Sequence, residues 1–307
     1  MLKMPNNIQA CIERQTTPKL SLTNKAVLTG IFILCAALFV GFPVYADDSI
    51  QYFDENFTVS FLSNYNTGAF RHDGAEYVTS NPLNIGLGFR YKSISASISF
   101  PVPFKGSSFD LEINPYFDKI YYNAYLKYDQ DFYKSNTNEK SGLDILSSAI
   151  TATYVVNHEN HSLSSIINLD KKQTVSSGSL LYAAGTFYSS IYSTDETMYN
   201  YNERRQTLIY SGPGVGYSYI WVFDNDMFLN ASIVVYANAG INMANKGWLI
   251  IPQLEPKIVF GQHKKTWSFN VKIANNSSII FMNGYNDIFN YDILTLGSVT
   301  AVIAKRF

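Results

Sequence analysis

Apolar and polar residues alternate with a period of two along much of this chain. Within 93–100, Ile94, Ala96, Ile98 and Phe100 fall on one face and Ser93, Ser95, Ser97 and Ser99 on the other, a sorting that a strand produces and a helix does not. Within 119–128, Ile120, Tyr122, Ala124, Leu126 and Tyr128 oppose Tyr121, Asn123, Tyr125 and Lys127. The stretches 213–222 and 227–239 alternate in the same way around Asp224, Asn225 and Asp226, which predicts a long-armed hairpin with Asn230 on its polar face. Trp267, Phe269, Val271 and Ile273 oppose Ser268, Asn270 and Lys272. Weaker alternation marks 56–64, 84–91, 108–116, 148–157, 162–170, 177–190 and 250–260. The last of these holds Pro252 and Pro256 on its apolar face and Glu255 and Lys257 on the other. A proline cannot donate to a ladder, so this strand should bend, bulge or lie partly outside a bilayer.

The alternation continues to the chain end. From Phe307 backwards, Lys305, Ile303, Ala301 and Val299 share a face, opposite Arg306, Ala304, Val302, Thr300 and Ser298. A sheet that enters a membrane must close on itself, because an open edge in hydrocarbon leaves peptide groups without partners. The final strand is therefore expected to shut the barrel, with Phe307 as the membrane insertion signal by which the barrel-assembly machinery takes up the chain. Lys305 breaks the apolar face close to the interface, where a long side chain can snorkel.

Such segments approach the ~9–11 residues of a tilted membrane strand. They total about 13, whereas a single-chain barrel with both termini on one side needs an even number. Walking in from each end with short turns on one side and long loops on the other, the two walks fall out of phase between Tyr128 and Thr207. The expectation is an all-β fold, a transmembrane antiparallel up-and-down β-barrel of about 12 strands, with 14 as the alternative.

Lys19 and Lys25 precede an apolar run, 26–40, followed by Val44, Tyr45, Ala46 and then Asp47 and Asp48. This reads as a signal peptide cleaved after Ala46. Residues 1–46 are the leader and 47–307 a single barrel domain. Both cysteines, Cys11 and Cys35, fall in the leader, which leaves the processed chain no thiol for a disulfide, a metal or covalent catalysis.

Charged residues make up 15% of the chain and aromatics 15%, led by 23 tyrosines and 21 phenylalanines. Mean hydropathy is −0.04, and after the leader no apolar run is long enough for a spanning helix. Few charges, many aromatics and alternating strands suit a protein that is apolar outside and polar within. The leader carries four basic residues and one acidic residue, so processing leaves a net charge of about −4, which argues against nucleic acid as a partner.

The stretch 80–104, SNPLNIGLGFRYKSISASISFPVPF, followed by Phe109, Asp110 and Leu111, resembles the start of an uncharacterised barrel family, domain of unknown function 4421, common in outer membranes of Bacteroidetes-type bacteria. Tyr154 to Asn157, Lys171 to Gln173, Ser176 to Ser179 (with Ser177 where the family has alanine), Gly214 to Tyr219 and the closing Lys305, Arg306 and Phe307 fit the same family in order. The resemblance implies a location in the bacterial outer membrane and a barrel architecture. The family has no assigned reaction, so no catalytic residues carry over.

The four histidines are His72, His158, His161 and His263. His161 and Ser162 are neighbours, which on a strand would point to opposite faces. His158 and His161, with Glu159 between them, have a metal-like spacing but no evident third ligand, so a polar hairpin turn is the simpler reading. His72 beside Asp73 reads as a loop, and His263 with Lys264 and Lys265 as a periplasmic turn. No catalytic, cofactor or metal residues are expected, and the chain is expected not to be an enzyme. The candidate lumen residues are Ser93, Ser95, Ser97, Ser99, Asn123, Lys127, Asn230, Glu255, Lys257, Asn270 and Lys272, and opposite charges among them could pair and plug the bore.

The main reading is an outer-membrane barrel that is structural, receptor-like or surface-exposed, with 133–141 and 193–205 as partner-facing loops. The alternative is a pore or conduit for a small neutral or amphipathic solute. The second alternative is a lipid-modifying hydrolase or acyltransferase. Outer-membrane lipid is the expected surrounding, and a solute or extracellular ligand the expected partner.

Overall fold

The computed structural model describes residues 49–80, 82–102, 108–117, 119–137, 139–194, 205–244, 246–282 and 291–307. Residues 1–46, read from sequence as a signal peptide, lie outside them. The strands in chain order are β1 (Ile50–Tyr52), β2 (Phe57–Asn66), β3 (Ala69–His72), β4 (Ala75–Val78), β5 (Leu83–Tyr91), β6 (Ile94–Pro101), β7 (Phe109–Phe117), β8 (Ile120–Asp129), β9 (Tyr133–Lys134), β10 (Leu143–Val155), β11 (Lys171–Gln173), β12 (Ser177–Ser193), β13 (Arg205–Val222), β14 (Met227–Asn242), β15 (Gly247–His263), β16 (Trp267–Met282) and β17 (Tyr291–Arg306). A short helix, α1 (Leu163–Ile167), precedes β11.

Twelve of these strands form one closed antiparallel barrel, in the order β2, β5, β6, β7, β8, β10, β12, β13, β14, β15, β16 and β17. The final strand closes it, pairing with β16 from Trp267↔Lys305 to Phe281↔Tyr291 and with β2 from Arg306↔Thr58 to Ser298↔Asn66. Phe307 completes the seam by donating its N–H to the Phe57 carbonyl at 2.9 Å. The start of β2, the end of β17 and the short turns at 92–93, 223–226 and 264–266 share one end, here the terminal rim; the opposite end is the loop rim.

The exterior follows the alternation. Charges on the outward faces of the barrel strands are confined to Asp144, Arg205 and Lys305, near strand ends. Between them lie Phe61, Leu87, Ile98, Ile150, Val235 and Ile273, all exposed. Exposed aromatics ring both ends, with Phe57, Tyr91, Phe117, Trp267 and Phe307 at the terminal rim and Tyr65, Phe100, Trp248 and Phe281 at the loop rim. An apolar band between aromatic girdles on a sheet without edges is the construction of an outer-membrane barrel, because lipid offers no partner to an unpaired peptide group.

One segment departs from the strand pattern predicted for it. Residues 162–170, expected as a strand, contain α1. Leu163, Ile166 and Ile167 stand at i, i+3 and i+4, a helical spacing. Leu169, with φ +57°, then ends the helix. The surplus element thus falls between Tyr128 and Thr207, and its removal leaves twelve strands.

The two prolines of β15 face outward and cause no bulge. The β15–β16 register is the same on either side of them, but the bridges at Ile251, Pro252, Glu255 and Pro256 are missing. The opposite ladder, to β14, is continuous. The missing N–H groups therefore cost bonds toward β16 without bending the strand out of register.

The barrel is taller on one side. β12 to β17 have 16–18 residues, whereas β2 and β5 to β8 have 8–10. Above the short wall, β3 pairs with the upper part of β17, β4 with β3, and β9 with β4. The interior behind these strands is dry: Phe70, Phe132, Leu143, Ile145, Ile191 and Leu208 are at most 1% exposed and belong to one apolar cluster. The stretch 133–141, expected as a partner-facing loop, begins with β9, which folds over the barrel. Most of 193–205, the other expected loop, lies outside the described residues; Ser193 and Arg205 end β12 and begin β13.

Candidate functional site

The lower lumen on the short-wall side keeps a cavity of about 270 Å³. Alternation on β6 turns Ser95, Ser97 and Ser99 into it, and β15, β16 and β8 contribute Lys257, Asn270, Lys272 and Lys127. Leu62 on β2 and Leu296, Val302 and Ala304 on β17 supply an apolar side. The floor is Ile166, Ile167, Asn168 and Leu169, from the connector between β10 and β12.

That connector, 156–176, folds inward across the terminal rim. Its grip is polar. Asn168 accepts a hydrogen bond from Ser95 Oγ at 2.9 Å and donates Nδ2 to the carbonyls of Ser93 and Asn114 at 3.2 and 3.1 Å. Asn270 Nδ2 donates to the Ile166 carbonyl from the far wall at 3.2 Å. β11, within the connector, pairs with β1 from Ile50↔Gln173 to Tyr52↔Lys171. The Lys171 ammonium lies 4.7 Å from the centre of the Tyr52 ring and 4.9 Å from that of Tyr116. Gln173 Nε2 reaches the carbonyls of Ser49, Asn160 and Val175.

The charges around the cavity are mostly matched. Lys127 lies 3.4 Å from Asp129, and Lys272 lies 3.6 Å from Glu112. Glu112 also accepts from Asn123 Nδ2 at 3.0 Å, and Asn123 bonds Asn114 at 2.8 Å. Glu255 accepts from Gln253 at 2.6 Å and from Asn276 at 3.1 Å. Asp110 Oδ2 accepts from the amides of Asn64, Asn66 and Asn84 at 3.2, 3.3 and 3.2 Å. Lys257 faces the cavity with no carboxylate within 4 Å among the described residues.

Of the candidate lumen residues, Ser95, Ser97, Ser99, Lys127, Lys257, Asn270 and Lys272 meet at this cavity. Ser93 lies in the turn before β6, where its carbonyl serves Asn168. Asn230 is buried elsewhere, bonded to Ser218 Oγ and the Tyr219 carbonyl. The sequence reading missed the asparagine cradle of Asp110, the Glu112 partner of Lys272, and the connector that makes the floor. Alternation on β2, β5 and β7 carries the first two; the third had only the i, i+3, i+4 spacing within α1.

Histidine geometry differs from the sequence expectation. His161 is fully buried in the connector, with Nδ1 3.2 Å from both the carbonyl and Oγ of Ser177, not Ser162, and with Nε2 unpartnered. Burial pushes its imidazole down to about 4. His263 is buried rather than part of the exposed Lys264–Lys265 turn and sits 2.9 Å from Ser268 Oγ. Among the described residues neither ring hydrogen-bonds a carboxylate. His72, at the end of β3, lies 2.8 Å from Asp292 of β17. The described residues contain no group of three or more His, Cys, Asp or Glu placed to hold a metal.

Solved structures similar to this chain are outer-membrane barrels. The outer-membrane protease OmpT of Escherichia coli is 9% identical, with 83% of this chain and 98% of that one covered and a TM-score of 0.35. An outer-membrane channel of Pseudomonas putida F1 is 7% identical over 86% and 100%, with a TM-score of 0.35. The toluene transporter TodX of Pseudomonas putida is 9% identical over 85% and 91%, with a TM-score of 0.26. Scores this low leave the fold to be read from the chain's own hydrogen-bond ladder. No curated protein matches the sequence. The family described as domain of unknown function DUF4421 matches residues 46–296, most of the chain, and this chain belongs to that family.

Proposed function

We propose that this protein is a bacterial outer-membrane barrel that holds a small ligand in its lumen cavity, with the 156–176 connector as a gate at the periplasmic rim. The observation that carries this reading is the polar latch beneath the cavity. Asn168 and Asn270 hold the floor by hydrogen bonds to Ser95, Ser93, Asn114 and Ile166. Such bonds contribute about 0.5–1.5 kcal/mol each, so the floor can release without unfolding the barrel.

A freely open pore fits less well. The upper interior is filled by the apolar cluster around Phe70, Phe132 and Ile145, and the lower by the connector. The seam made by β17 and the exposed Phe307 ring suit the terminal strand to recognition by the barrel-assembly machinery. A lipid-modifying enzyme has less support, since His161 and its serine neighbour are buried away from lipid.

Limited proteolysis at neutral pH tests the gate, because the apolar cluster above would block current whatever the floor does. The native barrel should resist nicking within 156–176, and the Asn168→Ala/Asn270→Ala double variant should be cut several-fold faster there while still migrating as a compact, unboiled barrel. Equal cutting of the two would refute the gate.

A further inference from the structure

The cavity has one ammonium without a direct partner and an apolar side, and together these point to a ligand. Lys127 is matched by Asp129 and Lys272 by Glu112. Asp110 accepts three neutral amides on Oδ2 while its Oδ1 has no partner among the described residues, and Glu255 accepts two amides. The Arg90 guanidinium at the lower edge is taken up by Thr58 Oγ1 and by the carbonyls of Lys92 and Glu55. Lys257 alone among the lining cations has neither a carboxylate within ion-pair distance nor a hydrogen bond among the described residues.

Lys272 is its neighbour on the adjoining strand. Val259 stands directly opposite Lys272, so Lys257 is the diagonal residue on the same face, about 7–8 Å away along the backbone. Long side chains at that spacing can close on one small group from two sides. A buried ammonium is costly without a direct partner, and the Lys257 ammonium touches none, Glu112 and Glu255 acting on it only from beyond ion-pair distance. Beside the lysines, Leu296 and Val302 on the adjoining β17, Leu62 on β2 and Ile166 on the floor present hydrocarbon. The cavity, of about 270 Å³, suits a small occupant.

We propose that the lumen cavity binds a small organic carboxylate, its charge taken between Lys257 and Lys272 and its apolar body laid against Leu62, Leu296, Val302 and Ile166. This rests on the reading that the cavity is a ligand site, and it names the class of ligand. An inorganic anion would leave the apolar wall unmatched.

Three compounds of one shape and equal non-hydrogen atom count separate the possibilities: benzoate, neutral benzamide and cationic benzamidinium. Each is titrated calorimetrically against the barrel in lipid nanodiscs, with empty nanodiscs subtracted. Benzoate should bind at least tenfold more tightly than benzamide, with benzamidinium weakest. Lys257→Met keeps the aliphatic stem and removes the charge. It should cost benzoate about tenfold while leaving benzamide unchanged, and Lys257→Arg should retain benzoate affinity within a few fold. Compact migration of the unboiled variants on a gel shows that they are folded. Benzamide or benzamidinium binding as tightly as benzoate, or Lys257→Met leaving benzoate affinity unchanged, would overturn the carboxylate site alone. Failure of all three compounds to bind would overturn the ligand cavity along with it.

Discussion

His161 shows how one side chain can tie the connector to pH. An imidazole in the released connector takes a proton below about 6.5, whereas the buried ring does so only near 4. Above 6.5 both are neutral and the linkage vanishes. Between those values the released form binds the proton and the docked form does not, so falling pH favours release by on the order of 1 kcal/mol per unit. Proteolytic nicking within 156–176 should rise between pH 6.5 and 4.5 in the native barrel and stay level in His161→Gln. Arg306 holds the opposite corner of the rim. Its guanidinium bonds Ser268 Oγ and the carbonyls of Lys264, Lys265 and Trp267, and it lies 3.6 Å from the centre of the Phe53 ring. Arg306→Ala strands several acceptors in a residue site only 2% exposed. A loss of about 2–4 kcal/mol in urea unfolding of the refolded barrel is expected.

At the scale of elements, β17 and α1 carry different kinds of information. β17 pairs on both edges, with β16 and with β2, and Phe307 stands 60% exposed at its end. A ring that packs so little contributes little to stability once the barrel is closed. Phe307→Ala should therefore lower the yield of folded protein in the outer membrane several-fold while shifting the urea midpoint of refolded protein by less than about 0.5 kcal/mol equivalent. An equal loss in both measurements would make the residue a packing element instead of an insertion signal. The alternation of β17 was plain from sequence because each face meets a single environment. α1 was not, because five residues in a buried connector offer barely one helical turn, and Ser162 to Asp170 carry enough serine between apolar residues to imitate a strand.

For the whole molecule, a closed ladder of twelve strands should resist detergent until heated, so the unboiled protein should run faster on a gel than the boiled one, from the outer-membrane fraction. Loss of that difference in the native protein would contradict the closed barrel. Period-two alternation alone was enough to determine the strand class and the apolar exterior and, with the parity of a closed barrel, to narrow the strand number to twelve or fourteen; the helix within 162–170 decided for twelve. Those properties depend on where each residue sits relative to its immediate neighbours, and a strand places successive side chains on opposite faces wherever it lies. The sequence also assigned Ser95, Lys257 and Lys272 to the inner surface. It could not say that they would meet at one cavity with Leu62 and Ile166, nor that Phe132 and Ile145 would dry the upper lumen. Contacts across a lumen join residues a hundred or more positions apart, as Asn270 joins Ile166. They depend on barrel closure, unequal strand heights and an inward-folded connector, which local pattern does not encode, so only the tertiary structure decided which inward residues share a space.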